Sequence, residues 1–393
     1  MRHSYSTVTP AVVRAAAAAG LRTALPWQPF RASVTVAALL DLLLLAAAWR
    51  SSLSAVVRCC RFGFSHETAR RALDANLPPP ERLADGLVNA LHAYLPRSVR
   101  RRAWDLALDL HYVPFYGSAR TPGVLGGPKK GGTNRFFVYA TAAVVQRGQR
   151  WCLGLVPVRD THWEKAVAPL IGQLQARAVR VRALVLDRGF FSGHVIRALQ
   201  ERRVPFVIGV PRKGGPANRA QRLFALPSGQ VVRYAWETGR GSRPVAVSMT
   251  AARRRVRGRW RCEVYAFAGV PAEGAVRRSQ RARLLRQLSQ RRFGIETSYR
   301  QMNQGKGRTT SPEPRRRLLW LGLALLLRQV WVWLQQRLAP RGTNWRHWRP
   351  PPQLRLAILL DWLATWMRQH YPAPRVIRAP QPLELPVAAT VNR

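Results

Sequence analysis

The segment from residue 182 to residue 210 constrains the fold more than any other part of the chain. RALVLD (182–187) is a short apolar run that ends in an aspartate, SGHVIRALQERR (192–203) has helical spacing, and PFVIGV (205–210) is a second apolar run. Short apolar runs that are bounded by turn residues and separated by a helix are typical of buried strands. The segment therefore predicts part of an α/β sheet.

Three further strands are predicted upstream of this segment. WDLALDLHYVPF (104–115) alternates as a half-buried strand does, and FFVYATAAVV (136–145) and RWCLGLVPV (150–158) are apolar and β-rich. WEKAVAPLIGQLQARAV (163–179) then has helical spacing. The order of these elements predicts a mixed α/β sheet that helices cover on both faces.

Residues 34–95 have helical patterning and contain the outline of a helix-turn-helix. LSAVVRCC is followed by a short RFGF break and by SHETARRALDANL, in which Ser65 is placed to cap the second helix. A helix, a Gly-containing turn and a basic helix predict DNA binding through residues such as Arg70 and Arg71. An ordinary helical hairpin with a solvated basic face has the same outline, and the pattern favours neither.

The region after residue 211 changes character twice. QVVRYAWET, RPVAVSMT and RWRCEVYAFAGV are predicted antiparallel strands, separated by Gly- and Arg-rich turns such as ARRRVRGR (252–259). Helical patterning then returns. We expect a helical N-terminal region at 1–100, a first part of the core at 101–211, a β-rich insertion at 212–276, completion of the core at 277–340, and a basic Pro-rich tail with one helix at 341–393.

Two apolar stretches raise the question of a membrane protein. They are VTVAALLDLLLLAAAW (34–49) and LLWLGLALLLRQVWVWL (318–334), and Asp41 and Arg328 interrupt them. Each is shorter than the ~20 apolar residues that a membrane-spanning helix needs. We expect both to be buried helices of a soluble protein without a membrane partner. The four cysteines form no CxxC pair, which fits a reducing cytoplasm.

The charge of the chain indicates its partner. Lys and Arg total 65 against 18 Asp and Glu, a formal net charge of +47, and only five of the 65 are lysines. Such an excess repels itself unless a polyanion is close, and arginine suits bidentate phosphate contacts. Codon usage in a high-GC genome also raises the arginine content. The charge predicts a nucleic-acid partner, and it does not identify a reaction.

Among so few acids, three stand in settings that suggest a site. Asp109 lies inside an apolar strand, Asp187 ends the apolar run ALVLD, and Glu296 lies in the helical segment RRFGIETSYRQMNQGKGR. A buried aspartate is costly unless a cation or hydrogen bonds compensate. Each acid alone also fits a helix cap or an arginine pair. Together they fit a cluster that holds two Mg²⁺ ions, or Mn²⁺ in their place, for phosphodiester cleavage.

The segments ALDLHYVPFYG, LVLDRGFFSG and RRFGIETSYRQMNQ resemble the DDE transposases of bacterial and archaeal insertion sequences. The resemblance covers roughly residues 34–340 and is greatest to the branch with a β-rich insertion between the second Asp and the Glu. It implies a ribonuclease-H-like core with Asp109 on its first strand, Asp187 on its fourth, and Glu296 on the helix after the insertion. It also implies DNA cleavage at transposon ends and strand transfer of the 3′-hydroxyl.

The family signature near the glutamate is Y-x2-R-x3-E-x6-K. Arg292 matches its arginine, whereas Ser289 stands at the tyrosine position, Asn303 at the lysine position, and Lys306 three residues later. The resemblance implies that Arg292, Arg300 and Lys306 contact DNA phosphates. The two departures put in doubt the contacts that the family makes to transposon-end phosphates.

Lys129 and Lys130 in GGPKKGGTNRFF are predicted to form a flexible basic loop on the DNA backbone, or else a solvated hairpin. The implied partners are terminal inverted repeats, target DNA, and a second copy of the chain when two ends are synapsed. The implied location is the cytoplasm of a bacterium or archaeon, on the nucleoid. Two other functions stay open: an inactive or domesticated DNA-binding protein, and a ribonuclease-H-like nuclease that cuts without joining.

Overall fold

The computed structural model describes residues 7–146, 150–212, 222–236, 244–273, 276–340, 342–345 and 347–373. The strands in these residues are β1 Trp104–Pro114, β2 Leu125–Lys130, β3 Thr133–Val144, β4 Cys152–Val158, β5 Val181–Leu186, β6 Phe206–Gly209, β7 Val231–Trp236, β8 Val245–Val256 and β9 Arg259–Ala268. The helices are α1 Pro10–Ala24, α2 Val36–Ala48, α3 Leu53–Cys59, α4 His66–Asn76, α5 Pro80–Ala93, α6 Arg97–Arg101, α7 Glu164–Ala176, α8 Gly193–Glu201, α9 Arg278–Arg292, α10 Gly294–Met302, α11 Pro314–Leu338 and α12 Leu356–His370.

The nine strands form one mixed sheet. Its order is β2-β3-β1-β5-β6-β9-β8-β7, and β4 pairs with β3. The central strands β1, β5 and β6 are parallel to one another, whereas β3 and β9 are antiparallel to their inner neighbours. This arrangement confirms the mixed α/β sheet predicted from the sequence.

Helices cover both faces of the sheet, as predicted. Leu170 of α7 and Ile196 of α8 pack with alternate residues of the strands, such as Leu184. On the opposite face, Leu285 of α9 packs against the intervening residues, such as Val185. Residues of β5 are apolar on both faces because both faces are buried.

The helix α10 approaches the sheet over small residues. Ile295 of α10 packs on Ala107 of β1 and Ala143 of β3, with Tyr299 alongside. Alanines at this point leave room for the helix backbone to come close to the strands. The acidic residue carried by α10, Glu296, is thereby brought near the centre of the sheet.

The two apolar stretches are buried helices. Helix α2 is almost wholly buried, and its Asp41 is compensated by Arg14 and by the hydroxyl of Tyr371. Helix α11 is long and apolar enough to cross a membrane, yet 83% of its most apolar window is buried inside the protein. In the middle of α11, the buried guanidinium of Arg328 donates to the carbonyl oxygen of Arg150 at 2.7 Å. Both stretches therefore belong to the core of the helical half.

The predicted loop around Lys129 and Lys130 is a hairpin instead. Residues 125–130 form β2, which pairs with β3 through a turn at Gly131 and Gly132. Both glycines have positive φ (59° and 84°), which is the backbone conformation that a two-residue hairpin turn needs. Because β2 is an addition beside β3, Asp187 follows the fifth strand of the chain, which comes fourth when β2 is left out.

The strands predicted after residue 211 are present as β7, β8 and β9. They extend the main sheet, since β9 pairs with β6. The segment ARRRVRGR was predicted to be a turn, and that prediction was wrong: five of its residues, 252–256, continue β8, and the turn consists of Arg257 and Gly258. Arg257 and Gly258 both have positive φ, and together they close the hairpin in two residues. The arginines on either side of them therefore remain in paired strands.

Candidate active site

The register of two parallel strands brings Asp109 and Asp187 side by side. Leu108 of β1 pairs with Leu186 of β5, and the next residue on each strand is an aspartate. Asp187 follows β5 and precedes the short 3-10 turn Arg188–Phe190, and its side chain makes no hydrogen bond that caps this turn. The carboxyl group of Asp187 is therefore left for another role.

The third acid arrives on a different element. Helix α9 ends at Arg292, Phe293 forms the junction, and α10 begins at Gly294 with Glu296 in its first turn. Arg292 and Glu296 are four residues apart along nearly continuous helical backbone, so their side chains lie on one face. That face points towards the ends of β1 and β5.

The guanidinium of Arg292 lies between the three carboxylates. Its nitrogens are 3.8 Å from an oxygen of Asp109, 3.5 Å from one of Asp187 and 3.5 Å from one of Glu296. The side chain of Arg292 is only 8% exposed, whereas those of Asp187 and Glu296 are 45% and 42% exposed. A buried cation thus faces an acidic cluster that opens to solvent on its other side.

Burial has raised the pKa of Asp109 to about 6. Arg292 and the backbone N–H of Leu110 lower that pKa, and the carboxylates of Asp187 and Glu296 raise it further. The environment thus only partly stabilises the charge of Asp109. A carboxylate in this state gains from any additional cation that approaches it.

Polar contacts behind the cluster hold β1 in place. The hydroxyl of Tyr299 lies 2.6 Å from that of Thr141 and donates to the backbone oxygen of Asp109 at 3.3 Å. His111 is on the same face of β1 as Asp109, and its ring centre is 4.7 Å from that of Tyr299. Tyr112 faces the other way and packs against Phe136. Alternation along the strand therefore puts His111, and not Tyr112, beside the cluster.

The chemistry of the three side chains suits a hard divalent cation, but their present spacing does not. In the described residues, no three acidic, histidine or cysteine side chains lie close enough together to ligate one ion. The carboxylates are held apart by the guanidinium of Arg292, which contacts all three. The donor set has the chemistry of a metal site, and in the observed arrangement the guanidinium of Arg292 provides the positive charge between the carboxylates.

Comparison with known proteins identifies the family. Residues 113–329, more than half of the chain, match the family model described as the transposase DDE domain. This chain belongs to the DDE transposases. The match contains Asp187, Arg292 and Glu296, and it begins four residues after Asp109. No curated protein matches the chain by sequence.

The fold of the transposase is similar to that of a solved relative. The cryo-EM structure of the piggyBac transposase synaptic complex with hairpin DNA aligns with a TM-score of 0.57 over 96% of this chain and 84% of that chain. The two sequences are 10% identical, so the likeness concerns the fold. It supports the mixed α/β architecture, a mixed sheet flanked by helices, that the sequence predicts.

The two positions that depart from the family signature have defined surroundings in this transposase. Ser289 is a side-chain hydrogen-bond partner of the buried Tyr265 of β9. Asn303 follows α10, and its side-chain oxygen is buried without a hydrogen-bond partner among the described residues. Lys306 is largely buried nearby, and burial, Arg317 and Arg50 lower its pKa.

Lys306 and Asn303 line a basic cavity of about 1060 Å³ at the carboxyl end of β1. Its other cations are Arg50, Arg308 and Arg317, and none of the described residues that line it is acidic. The guanidinium of Arg317 lies over the rings of Phe115 and Phe137, 4.6 Å and 4.8 Å from their centres. Arg50, Arg308 and Arg317 were not singled out from the sequence, because they come from distant segments and each resembles many other arginines of the chain.

The other predicted DNA contacts lie at varied distances from the carboxylates. Arg300 is exposed on α10, one turn after Glu296. Lys129 and Lys130 are exposed on the β2–β3 hairpin, and Lys130 is close enough to lower the pKa of Lys306. Arg70 and Arg71 lie on α4 in the helical region, where both pair with Glu67. Ser65 does cap α4, and the role of this helix in DNA binding stays a prediction.

Proposed function

We propose that this transposase cleaves DNA at the ends of a mobile element and joins the freed 3′-hydroxyl to target DNA. Asp109, Asp187 and Glu296 would hold two divalent ions, Mg²⁺ or Mn²⁺. The convergence of these three carboxylates on one buried guanidinium carries the proposal, because it shows that they share a common focus open to solvent. The family membership supports the same reaction.

The ions, when bound, would activate the attacking oxygen and stabilise the leaving oxygen of the phosphodiester. The side chain of Arg292 contributes to this reaction in two ways. Arg292 keeps the acidic cluster ionised and assembled, since three convergent carboxylates without a cation repel one another. When Arg292 turns away from the cluster, its guanidinium can bind a DNA phosphate in bidentate geometry.

The basic cavity supplies a second point of attachment for DNA. Arg50, Lys306 and Arg308 meet there beside the end of β1, four or more residues beyond Asp109. Like charges that converge without a carboxylate are stabilised by an anion, and a backbone phosphate is an anion of suitable size. DNA held in the cavity would pass over the carboxylates.

The piggyBac transposase structure with the similar fold is a synaptic complex with hairpin DNA. By analogy, we propose that two element ends are held together by at least two copies of this transposase. The proposed location is the bacterial or archaeal cytoplasm, on the nucleoid.

The test is cleavage of a labelled duplex that carries the end of the native element, with Mg²⁺ or Mn²⁺. Asp187→Ala and Glu296→Ala should abolish metal-dependent nicking at the element boundary and still bind the duplex. Asp160→Ala, which removes an exposed carboxylate paired with Lys165, is the matched control and should cleave normally.

Other outcomes separate the competing functions. Binding by the wild type without cleavage under either ion would indicate an inactive DNA-binding protein. Cleavage without joined products, when target DNA is supplied, would indicate a nuclease that lacks strand transfer.

A further inference from the structure

The hairpin of β8 and β9 extends beyond the core of the protein. Its inner residues Ala252 and Val264 are buried, whereas among the described residues no third strand pairs with the hairpin beyond them. We call residues 253–261 the tip ribbon. It closes through Arg257 and Gly258, which have φ angles of 47° and 76°. A two-stranded hairpin on its own is marginally stable in water, so the ribbon depends on something outside its own contacts.

The charge of the tip ribbon works against its folding. The ribbon contains six arginines, and the nearest acid on the hairpin, Glu263, already contacts Arg254 at 3.7 Å. Arg254 stands directly opposite Arg261 across the two strands. Like charges in that position destabilise a β-ladder. The self-repulsion would be relieved by a polyanion.

Three arginines of the ribbon are available to such a partner. Arg257, Arg259 and Arg261 are exposed, and they have neither an acidic partner nor a side-chain hydrogen bond among the described residues. By contrast, Arg253 at the base of the ribbon donates to the backbone oxygen of Ala225 at 2.7 Å. The outer part of the ribbon therefore presents its charges to solvent, and the inner part is anchored.

An aromatic residue stands among these charges. The side chain of Trp260 is 72% exposed and lies opposite Arg255 in the ladder. Because side chains alternate along a strand, Trp260 and Arg255 lie on one face of the ribbon, and Arg259 and Arg261 lie on the other.

The topology of the sheet places the ribbon on the active-site edge. Gly209 at the carboxyl end of β6 pairs with Tyr265, so β9 runs past that end as the numbers fall from 264 to 259. β6 is parallel to β5, whose carboxyl end carries Asp187. Six residues at ~3.3 Å each carry the ribbon about 20 Å beyond the edge.

We propose that the tip ribbon binds duplex DNA at the edge of the sheet that carries Asp187. Arg257 in the turn, and Arg259 and Arg261 on one face of the ribbon, contact backbone phosphates. A two-stranded ribbon fits the major groove of B-DNA. The location relative to the cleaved bond rests on the proposed function, whereas the binding itself does not.

The first test measures the salt dependence of binding to a labelled 30-base-pair duplex (a length of about 100 Å at 3.4 Å per base pair), with EDTA present and no cleavage. The combined variant Arg257→Gln, Arg259→Gln and Arg261→Gln should lower the slope of log K against log salt by about 2.7, since each phosphate contact contributes ~0.9. The matched control, Arg97→Gln, Arg101→Gln and Arg102→Gln, removes the same charge from exposed residues before β1, at the opposite edge of the sheet. It should keep a slope close to that of the wild type.

Trp260→Ala should leave the affinity and the slope close to those of the wild type, because Trp260 lies on the other face of the ribbon. Hydroxyl-radical footprinting on a cleavable end should show protected backbone positions outside those that flank the cut, and the triple variant should lose that protection. The triple variant should also keep or raise the melting temperature, since it relieves repulsion.

The results that would overturn the proposal differ from those that would overturn the transposase function. If the triple variant and the control have equal slopes, the ribbon does not bind DNA, whether or not the wild type cleaves. If the variants weaken binding to a single strand of equal length and spare the duplex, the partner is single-stranded. A wild type that binds no DNA at all would exclude both the ribbon contact and the proposed function.

Discussion

The strand β1 carries two aspartates on one face, and they meet two consecutive arginines in different ways. Asp105 is 5% exposed and accepts hydrogen bonds from Arg182 at 2.7 and 2.5 Å and from Arg291 at 2.8 Å. Asp109, four residues later, comes no closer than 3.8 Å to Arg292.

This difference distinguishes a structural ion pair at Asp105 from the candidate active site at Asp109. Every part of the Asp105 carboxylate is engaged at hydrogen-bond distance, so replacing its partners would leave a buried charge unpaired. Asp109 shares its arginine with Asp187 and Glu296 at longer distances, and burial raises its pKa. The first arrangement fixes β1 against α9, and the second leaves room for a stronger cation.

The substitution Asp105→Asn tests the structural role of Asp105. We expect a loss of about 3 kcal/mol in the free energy of unfolding, at the low end for a broken buried pair because Arg182 and Arg291 remain half-exposed. Urea unfolding at neutral pH measures this loss of free energy. The exposed pair of Asp160 and Lys165 is the control, where Asp160→Asn should cost less than about 1 kcal/mol. Equal losses at the two positions would contradict a structural role for Asp105.

Asp109→Asn should instead raise the free energy of unfolding. The pKa of Asp109 is raised to about 6 from 3.8, so the folded state binds the proton more tightly than the unfolded state between those values. Stability therefore falls as pH rises through that window. The variant should exceed the wild type by about 2 kcal/mol above pH ~6, after discounting for partial exposure, and should equal it below pH ~4. Unfolding in EDTA across pH measures this, and a wild type that is the more stable at pH ~7 would contradict it.

Arg292→Gln and Arg291→Gln remove the same charge from adjacent positions. We expect Arg292→Gln to tighten Mn²⁺ binding in the absence of DNA about tenfold (~1.4 kcal/mol), because the metal no longer competes with a guanidinium. Arg291→Gln should leave Mn²⁺ affinity unchanged, since Arg291 serves Asp105. Calorimetric titration of both variants distinguishes them. An equal change in both would mean that the effect is one of net charge.

The smallest effect is expected for Tyr299→Phe. The hydroxyl of Tyr299 bonds to Thr141 and to the backbone of Asp109, and its loss should cost about 1 kcal/mol of unfolding free energy. Tyr112→Phe, on the other face of β1, is the control. A variant as stable as the wild type would show that β1 does not need this support behind the site.

Much of the fold follows from local patterns in the sequence. The apolar runs around Asp109 and Asp187 predicted buried strands, and the helical spacing after residue 277 predicted the helix of Glu296; all three elements are present. The stretch ARRRVRGR was mistaken for a turn, because arginine and glycine there mark polarity and not the length of the paired strands. For Lys129 and Lys130 the sequence left a loop and a solvated hairpin open, and the structure has the hairpin.

The site was only half visible in the sequence. The apolar settings of Asp109 and Asp187 and the motif around Glu296 pointed to the three acids, yet nothing local distinguished Asp105 from Asp109, since both interrupt the same apolar strand. The distinction depends on which arginine of α9 reaches which aspartate, a matter of helix rotation against the sheet. The basic cavity likewise forms only because residues far apart in the sequence, such as Arg50, Tyr116 and Lys306, come together in the folded chain.

The sequence by itself indicated most of the elements, the family and three candidate carboxylates, because apolar periodicity and motif spacing are short-range properties of a chain. Tertiary structure alone decided which of many arginines neutralises an acid, which are enclosed in a cavity, and which stand free on the tip ribbon. Electrostatic roles depend on distance and burial. In a chain of 60 arginines (65 Lys and Arg less five Lys), those distances are set only when the sheet and its helices pack.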